Sequence, residues 1–257
     1  MRLFFVTANY SFRAMFHWLQ PAVYLIQRLL FPLVQLAFFA LVGTYGGSQP
    51  LSFYLVGNVI GTATITVFGV AQAVSDERQQ GTLSYLLASP APRVPVFFGR
   101  ATLHVVDGML NMAVAVAIAV FVFGLQLPLE RLAGLAIAML VATVAICGVG
   151  LLMGAMALIV LDSAVLANFA MFVILLLSGA NVPLSELPGL AATAGEAMPL
   201  TRSITAARLY AGGAPLEAGI GLLVGDLLVG ALYALAGYAL FTWLESTARR
   251  QGRLEGV

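Results

Sequence analysis

The sequence predicts an all-α polytopic membrane protein: an N-terminal amphipathic interfacial helix, six transmembrane helices, a cytoplasmic helical elbow between spans 2 and 3, and short re-entrant or interfacial helices between spans 5 and 6. Three observations carry this prediction. The 257 residues are 61% hydrophobic and 9% charged, with a mean hydropathy of +1.00, whereas a soluble domain keeps about a quarter of its residues charged. Six apolar runs approach the ~20 residues that carry a helix across the hydrocarbon core. One polar, helix-forming insert at 75–95 interrupts them. Without water, a lipid-exposed backbone must pair its own polar groups, and a helix does this within one segment.

Residues 1–20 form the predicted interfacial helix. At helical spacing Phe4, Phe5, Ala8, Phe12, Met15, Phe16 and Leu19 share one face, with Arg2, Asn9, Arg13 and Gln20 opposite. That pattern places aromatic side chains among acyl chains with the helix lying in the interface, and Asn9, Ser11, Arg13 and His17 break the run before a signal-peptide core can form. The spans follow near Ala22–Gly43, Phe53–Val74, Val96–Gly124, Leu132–Val160, Ala164–Asn181 and Ala218–Leu244. Pro32 is expected to kink the first. Spans 4 and 5 are separated only by Leu161, Asp162 and Ser163. In 182–217, Pro183, Pro188, Pro199 and Pro215 divide the chain into short pieces, one with an apolar stripe of Leu200, Ile204, Ala207 and Ala211 and with Arg202 and Arg208 turned away.

Arginine placement orients the bundle. Arg2, Arg13, Arg28, Arg78, Arg93, Arg100, Arg249, Arg250 and Arg253 fall on one side, and only Arg131, Arg202 and Arg208 on the other. The positive-inside rule puts both termini and the insert in the cytoplasm. All 12 basic residues are arginine. A P-loop needs a lysine to reach the phosphates, so this chain is not itself a P-loop ATPase. The net charge of +1 gives no basis for nucleic-acid binding, and one cysteine and two histidines give none for a metal cluster or a disulfide.

In the insert, Ser75 can cap a helix whose first turn carries Asp76 and Glu77, as the helix dipole prefers. Leu83, Leu86 and Leu87 make a small apolar face, and Pro90, Pro92 and Pro95 end the element. A leucine knob between charged flanks is a docking surface for a soluble partner. Within the spans, Tyr54, Asn58, Thr62 and Thr66 recur every four residues, and Asn168 and Asn181 lie in the fifth with Phe169 and Phe172 nearby. Two readings fit these polar groups: lining of a transport path, or interhelical hydrogen bonds that hold the bundle. His104, Asp107 and Asn111 share a face of span 3, either as a relay or as a set that Arg100 satisfies. Asp226 is a lone acid deep in span 6. Gly57-x-x-x-Gly61, Gly150-x-x-x-Gly154 and Gly221-x-x-x-Gly225 allow close helix approach within the subunit.

Glu77-Arg78-x-x-Gly81-Thr82-Leu83, then Leu86-Leu87-Ala88-Ser89-Pro90 and Gly99-Arg100, resembles the signature of the ABC-2 type transporter permeases, the membrane subunits of bacterial ATP-driven exporters. Leu30-Phe31-Pro32-Leu33 in the first span and the outer segment from Ser178-Gly179 through Pro183, Pro188-Gly189 and Pro199-Leu200-Thr201 to Arg208 resemble the family too. The resemblance implies a type V exporter fold in the bacterial cytoplasmic membrane. The coupling helix would use Asp76, Glu77, Arg78, Gly81, Thr82, Leu83, Leu86, Leu87 and Ser89 against a separate ATP-binding cassette subunit. Two such subunits, which bind ATP and Mg, would join two permeases, identical or paralogous, and spans 2 and 5 would line the path. No catalytic residue and no cofactor are expected in this chain. The expected cargo is an amphipathic or hydrophobic drug, antibiotic or lipid-like molecule, with a lipid-linked glycan second. A proton-driven secondary transporter using His104, Asp107 or Asp226 is the reading from a different class.

Overall fold

The computed structural model describes residues 21–47, 49–79, 93–157 and 163–251. Helix α1 (Pro21–Gly46) contains Pro32 without interruption. The second span is α2 (Leu51–Gly61), a 3-10 turn (Thr62–Thr64) and α3 (Ile65–Gln79). Next come α4 (Arg93–Phe121), α5 (Leu129–Ala157) and α6 (Ser163–Leu177). A 3-10 turn (Leu184–Glu186), α7 (Gly189–Glu196) and α8 (Thr201–Ala211) precede the long α9 (Glu217–Gln251). No strand occurs among the described residues.

Among these residues five helices are long and apolar enough to cross a membrane: Ala22–Gly46, Leu51–Ala73, Leu103–Phe121, Leu129–Ala157 and Glu217–Thr247. In the predicted fifth span the described helix is Ser163–Leu177, 15 residues or about 22 Å, and residues 158–162 before it lie outside the described residues. Beyond Leu177 the chain bends, with Gly179 at φ 77, and Asn181 lies outside the helix. Irregular backbone at that depth is tolerated where protein buries it, and Ser178 and Ala180 are both buried.

Helix α5 is the centre of the bundle. Leu135, Ala138, Met139, Ala142, Ile146 and Val149 face Val56, Ile60, Val67, Met112, Ile204 and Leu223 in one apolar core. The most extensive helix contact is α5 on α9, and glycine brings their backbones together. A Cβ at Gly230 would fall inside the van der Waals shell of the Ala145 backbone, and one at Gly237 would meet the backbone of Leu151 and Leu152. Of the spaced glycine pairs, Gly150 packs on Val70, whereas Gly221 has nothing within 4 Å. Gly57 and Gly61 pack on Ala180 and Leu175, while the α5–α9 contact follows Gly148, Gly230 and Gly237, which match no four-residue spacing.

Two expectations are corrected here. Ser75 does not cap a new helix: α3 passes through it unbroken to Gln79, because the helix-compatible run 75–79 gives the span no reason to stop. Arg208 does not turn away from the bundle but reaches back into it, as described below. The interfacial helix at 1–20, the junction at 158–162 and the elbow residues 80–92 lie outside the described residues.

Candidate functional site

The stripe on the second span is enclosed within the subunit. Tyr54 is 6% exposed, Thr66 2%, and Asn58 and Thr62 0%. Asn58 is a junction. Its Nδ2 donates to the Tyr54 carbonyl at 2.9 Å and to Asn181 Oδ1 at 2.8 Å, while its Oδ1 accepts from Gln35 Nε2 at 3.3 Å. One amide thus joins span 1, span 2 and the unwound end of α6. Gln35 was missed from the sequence because its partner lies on another span, 23 residues away.

The same span changes pitch at Thr62–Thr64. Thr62 Oγ1 donates to the Val59 carbonyl at 2.7 Å and Thr64 Oγ1 to the Gly61 carbonyl at 2.8 Å. Asn111 of α4 donates to the Thr62 carbonyl at 3.3 Å. Hydroxyl back-bonding of this kind competes with the helix ladder and bends helices, and a 3-10 stretch inside a helix often marks a hinge. Thr66 Oγ1 has no hydrogen-bond partner among the described residues.

Residues of the fifth helix divide. Asn181 meets Asn58, but Asn168 donates only to its own Ala164 carbonyl at 2.8 Å. Asn168, Phe169 and Phe172 are exposed, the two rings at 67% and 71%. The eight residues predicted for one path therefore fall into an internal seam (Tyr54, Asn58, Thr62, Thr66, Asn181) and an open face (Asn168, Phe169, Phe172).

At the end of the bundle that carries the 122–128 and 212–216 loops, Arg208 Nη1 donates to the Gly179 carbonyl at 2.9 Å and Nη2 to the Ala180 carbonyl at 2.9 Å. Nη2 and Nε also reach the Phe53 carbonyl at 3.1 and 3.4 Å. The guanidinium carbon lies 3.4 Å from the Phe53 ring centroid. Arg208 thus supplies donors to the carbonyls that the bend after α6 leaves without a ladder, and Gly57 leaves room for it, since a Cβ there would lie 2.5 Å from Nη2. Burial draws the Arg208 pKa down to about 9, and the group stays charged at neutral pH.

Asp226, unpartnered in the sequence reading, accepts through Oδ2 from the Leu200 and Ser203 amides, each at 3.1 Å, and from the Ser203 hydroxyl. A carboxylate on α9 caps the first turn of α8 across space. At the other end of the bundle Asp107 pairs with Arg28 and accepts from the Tyr24 hydroxyl at 2.7 Å. Asn111 bonds to the Thr62 carbonyl, so the face shared by His104, Asp107 and Asn111 is divided between two neighbours, which does not favour the relay of the two readings. The coupling residues Asp76, Glu77 and Arg78 stand on the last turns of α3, and Gly81, Thr82, Leu83, Leu86, Leu87 and Ser89 lie outside the described residues. No group of three metal-ligating side chains occurs among the described residues.

The family model described as ABC-2 type transporter matches residues 3–210. The chain belongs to the ABC-2 type transporter family. The match takes in the first five predicted spans, the insert and nearly all of α8, and leaves α9 outside it. As an ABC-2 membrane subunit, the chain is a multi-pass transport component, and such subunits generally pair with an ATP-binding subunit. No curated protein matches the chain.

Proposed function

We propose that this ABC-2 subunit is the permease of an ATP-driven exporter in a bacterial cytoplasmic membrane, with both termini and the 75–95 insert in the cytoplasm. Two copies, or one copy and a paralogue, would work with two ATP-binding subunits, which hold the ATP and Mg. The observation that carries this reading is the family match over 3–210, which includes the whole insert. The continuity of α3 to Gln79 supports it. A push at Glu77 is delivered along one helix to the 3-10 turn at Thr62–Thr64, where the span can bend. ATP moves this equilibrium only through contacts that differ between the two states, and the insert is the element placed to make them.

The exposed Asn168, Phe169 and Phe172 are our candidates for the path-facing surface, with the internal seam as their support. An aromatic face with one amide suits an amphipathic or apolar cargo. Proton coupling draws less support, because Asp107 is paired with Arg28 and Asp226 caps α8. The test is to exchange Glu77→Arg or Leu86→Asp in the reconstituted complex. Both variants should insert and recruit lipid normally while losing cargo-stimulated ATP hydrolysis. Full stimulation in both would remove the insert from the coupling pathway.

A further inference from the structure

A cavity of about 580 Å³ opens between the start of α2, the 123–126 loop and the end of α8. Its walls include Phe53, Leu55, Val56, Phe123 and Leu125, and Ser52, Gln126 and Arg208 add polar groups. The size falls within the range of ~300–1,000 Å³ usual for small-molecule sites.

Arg208 is the charged side chain in the cavity wall. Its four hydrogen bonds all go to backbone carbonyls. Carbonyl dipoles offset part of the cost of holding a cation among apolar groups, and the C-terminal turn of α8 offsets a little more. Neither supplies a counter-charge, and the guanidinium is half-buried at the cavity wall, where an opposite charge offsets the remaining cost. An anion in the cavity would supply one. The apolar walls beside the guanidinium ask for a hydrocarbon chain on that same molecule. Nη1 keeps one N–H that no carbonyl takes, a charge-assisted bond from it to a phosphate oxygen is among the stronger hydrogen bonds, and the cavity lies at the level where spans become loops, the depth of lipid headgroups.

We infer that this cavity binds an anionic phospholipid, its phosphate facing Arg208 and an acyl chain lying on the Phe53–Leu125 side. Both leaflets carry phosphates, so the inference needs only that the chain is in a membrane. It depends neither on the ATP-binding partner nor on the cargo.

The experiment uses the delipidated full-length chain in neutral detergent, with thermal midpoint and native mass spectrometry as readouts. Phosphatidylglycerol should bind and raise the midpoint, whereas diacylglycerol, which lacks phosphate, and inorganic phosphate, which lacks a chain, should not. Ser52 and Gln126 are exposed, so Ser52→Glu and Gln126→Glu place a carboxylate at the cavity without disturbing the core. Each should weaken phosphatidylglycerol binding by about tenfold, because the added carboxylate repels the phosphate and competes with it for Arg208. Ser52→Lys, with similar bulk and the opposite charge, should bind at least as well as the parent. Unchanged affinity in both glutamate variants overturns the inference. So does equal stabilisation by diacylglycerol or by phosphate alone.

Discussion

Leu200 sits at φ 82, the only left-handed non-glycine residue among those described, and it is fully buried. Such a backbone costs on the order of 1–3 kcal/mol and persists where surroundings over-determine it. Asp226 is that surrounding, holding the amides of Leu200 and Ser203 through one oxygen. Asp226→Ala should therefore free two backbone donors and cost about 1–3 kcal/mol, read as a lower unfolding midpoint and faster labelling of a cysteine placed on α8. Asp226→Asn keeps an acceptor and should cost less than Asp226→Ala, a ranking that a purely steric role would not produce. At the opposite end, Arg28 and Asp107 are 14% and 16% exposed. Asp107→Asn leaves a cation among apolar groups and should destabilise by a few kcal/mol, whereas Arg28→Met with Asp107→Leu should recover most of that loss. A double variant no better than the single one would count against an ion-pair account.

At the scale of elements, the second span and the α5–α9 pair behave differently. The second span is a helix with a built-in change of pitch, whose irregular turn is stabilised by threonine hydroxyls and by Asn111 from the neighbouring span. The α5–α9 contact is rigid because three glycines bring backbone against backbone. Gly230→Val should force those helices apart by pushing a side chain into the Ala145 backbone, with loss of folded protein in size-exclusion chromatography. Gly221→Val, where nothing lies within 4 Å, should be tolerated. Both glycines occur in the same helix, so the contrast separates packing from helix propensity. The four-residue glycine spacing did not identify the contact, since that pattern says nothing about which face a neighbour occupies.

For the whole molecule, the arrangement is asymmetric: α5 is mostly buried apart from a stripe at Ile137, Leu140 and Val144, while α6 presents Val165, Phe169, Phe172 and Leu176 outward. If α6 faces a second permease across the path, Phe172→Cys in a Cys147→Ala background should crosslink between subunits when oxidised in membranes. Val144→Cys, on the half-exposed lipid side of α5, should not. Crosslinking at neither or at both positions would assign the α6 face to lipid alone.

The sequence by itself determined the class of the molecule, because hydropathy and length are properties of segments read one at a time. Five long apolar helices and the family motif were legible in that way, and so was the need of Asn58, Asp107 and Asp226 for partners. The partners themselves were decided only by tertiary structure. Gln35 is 23 residues from Asn58, Arg28 is 79 from Asp107, and Ser203 is 23 from Asp226. A single polar residue in an apolar run has no periodicity that points across space. For the same reason the inward turn of Arg208 could not be read from the stripe of α8. It depends on the bend after α6 leaving carbonyls that only a long cationic side chain from another element can reach.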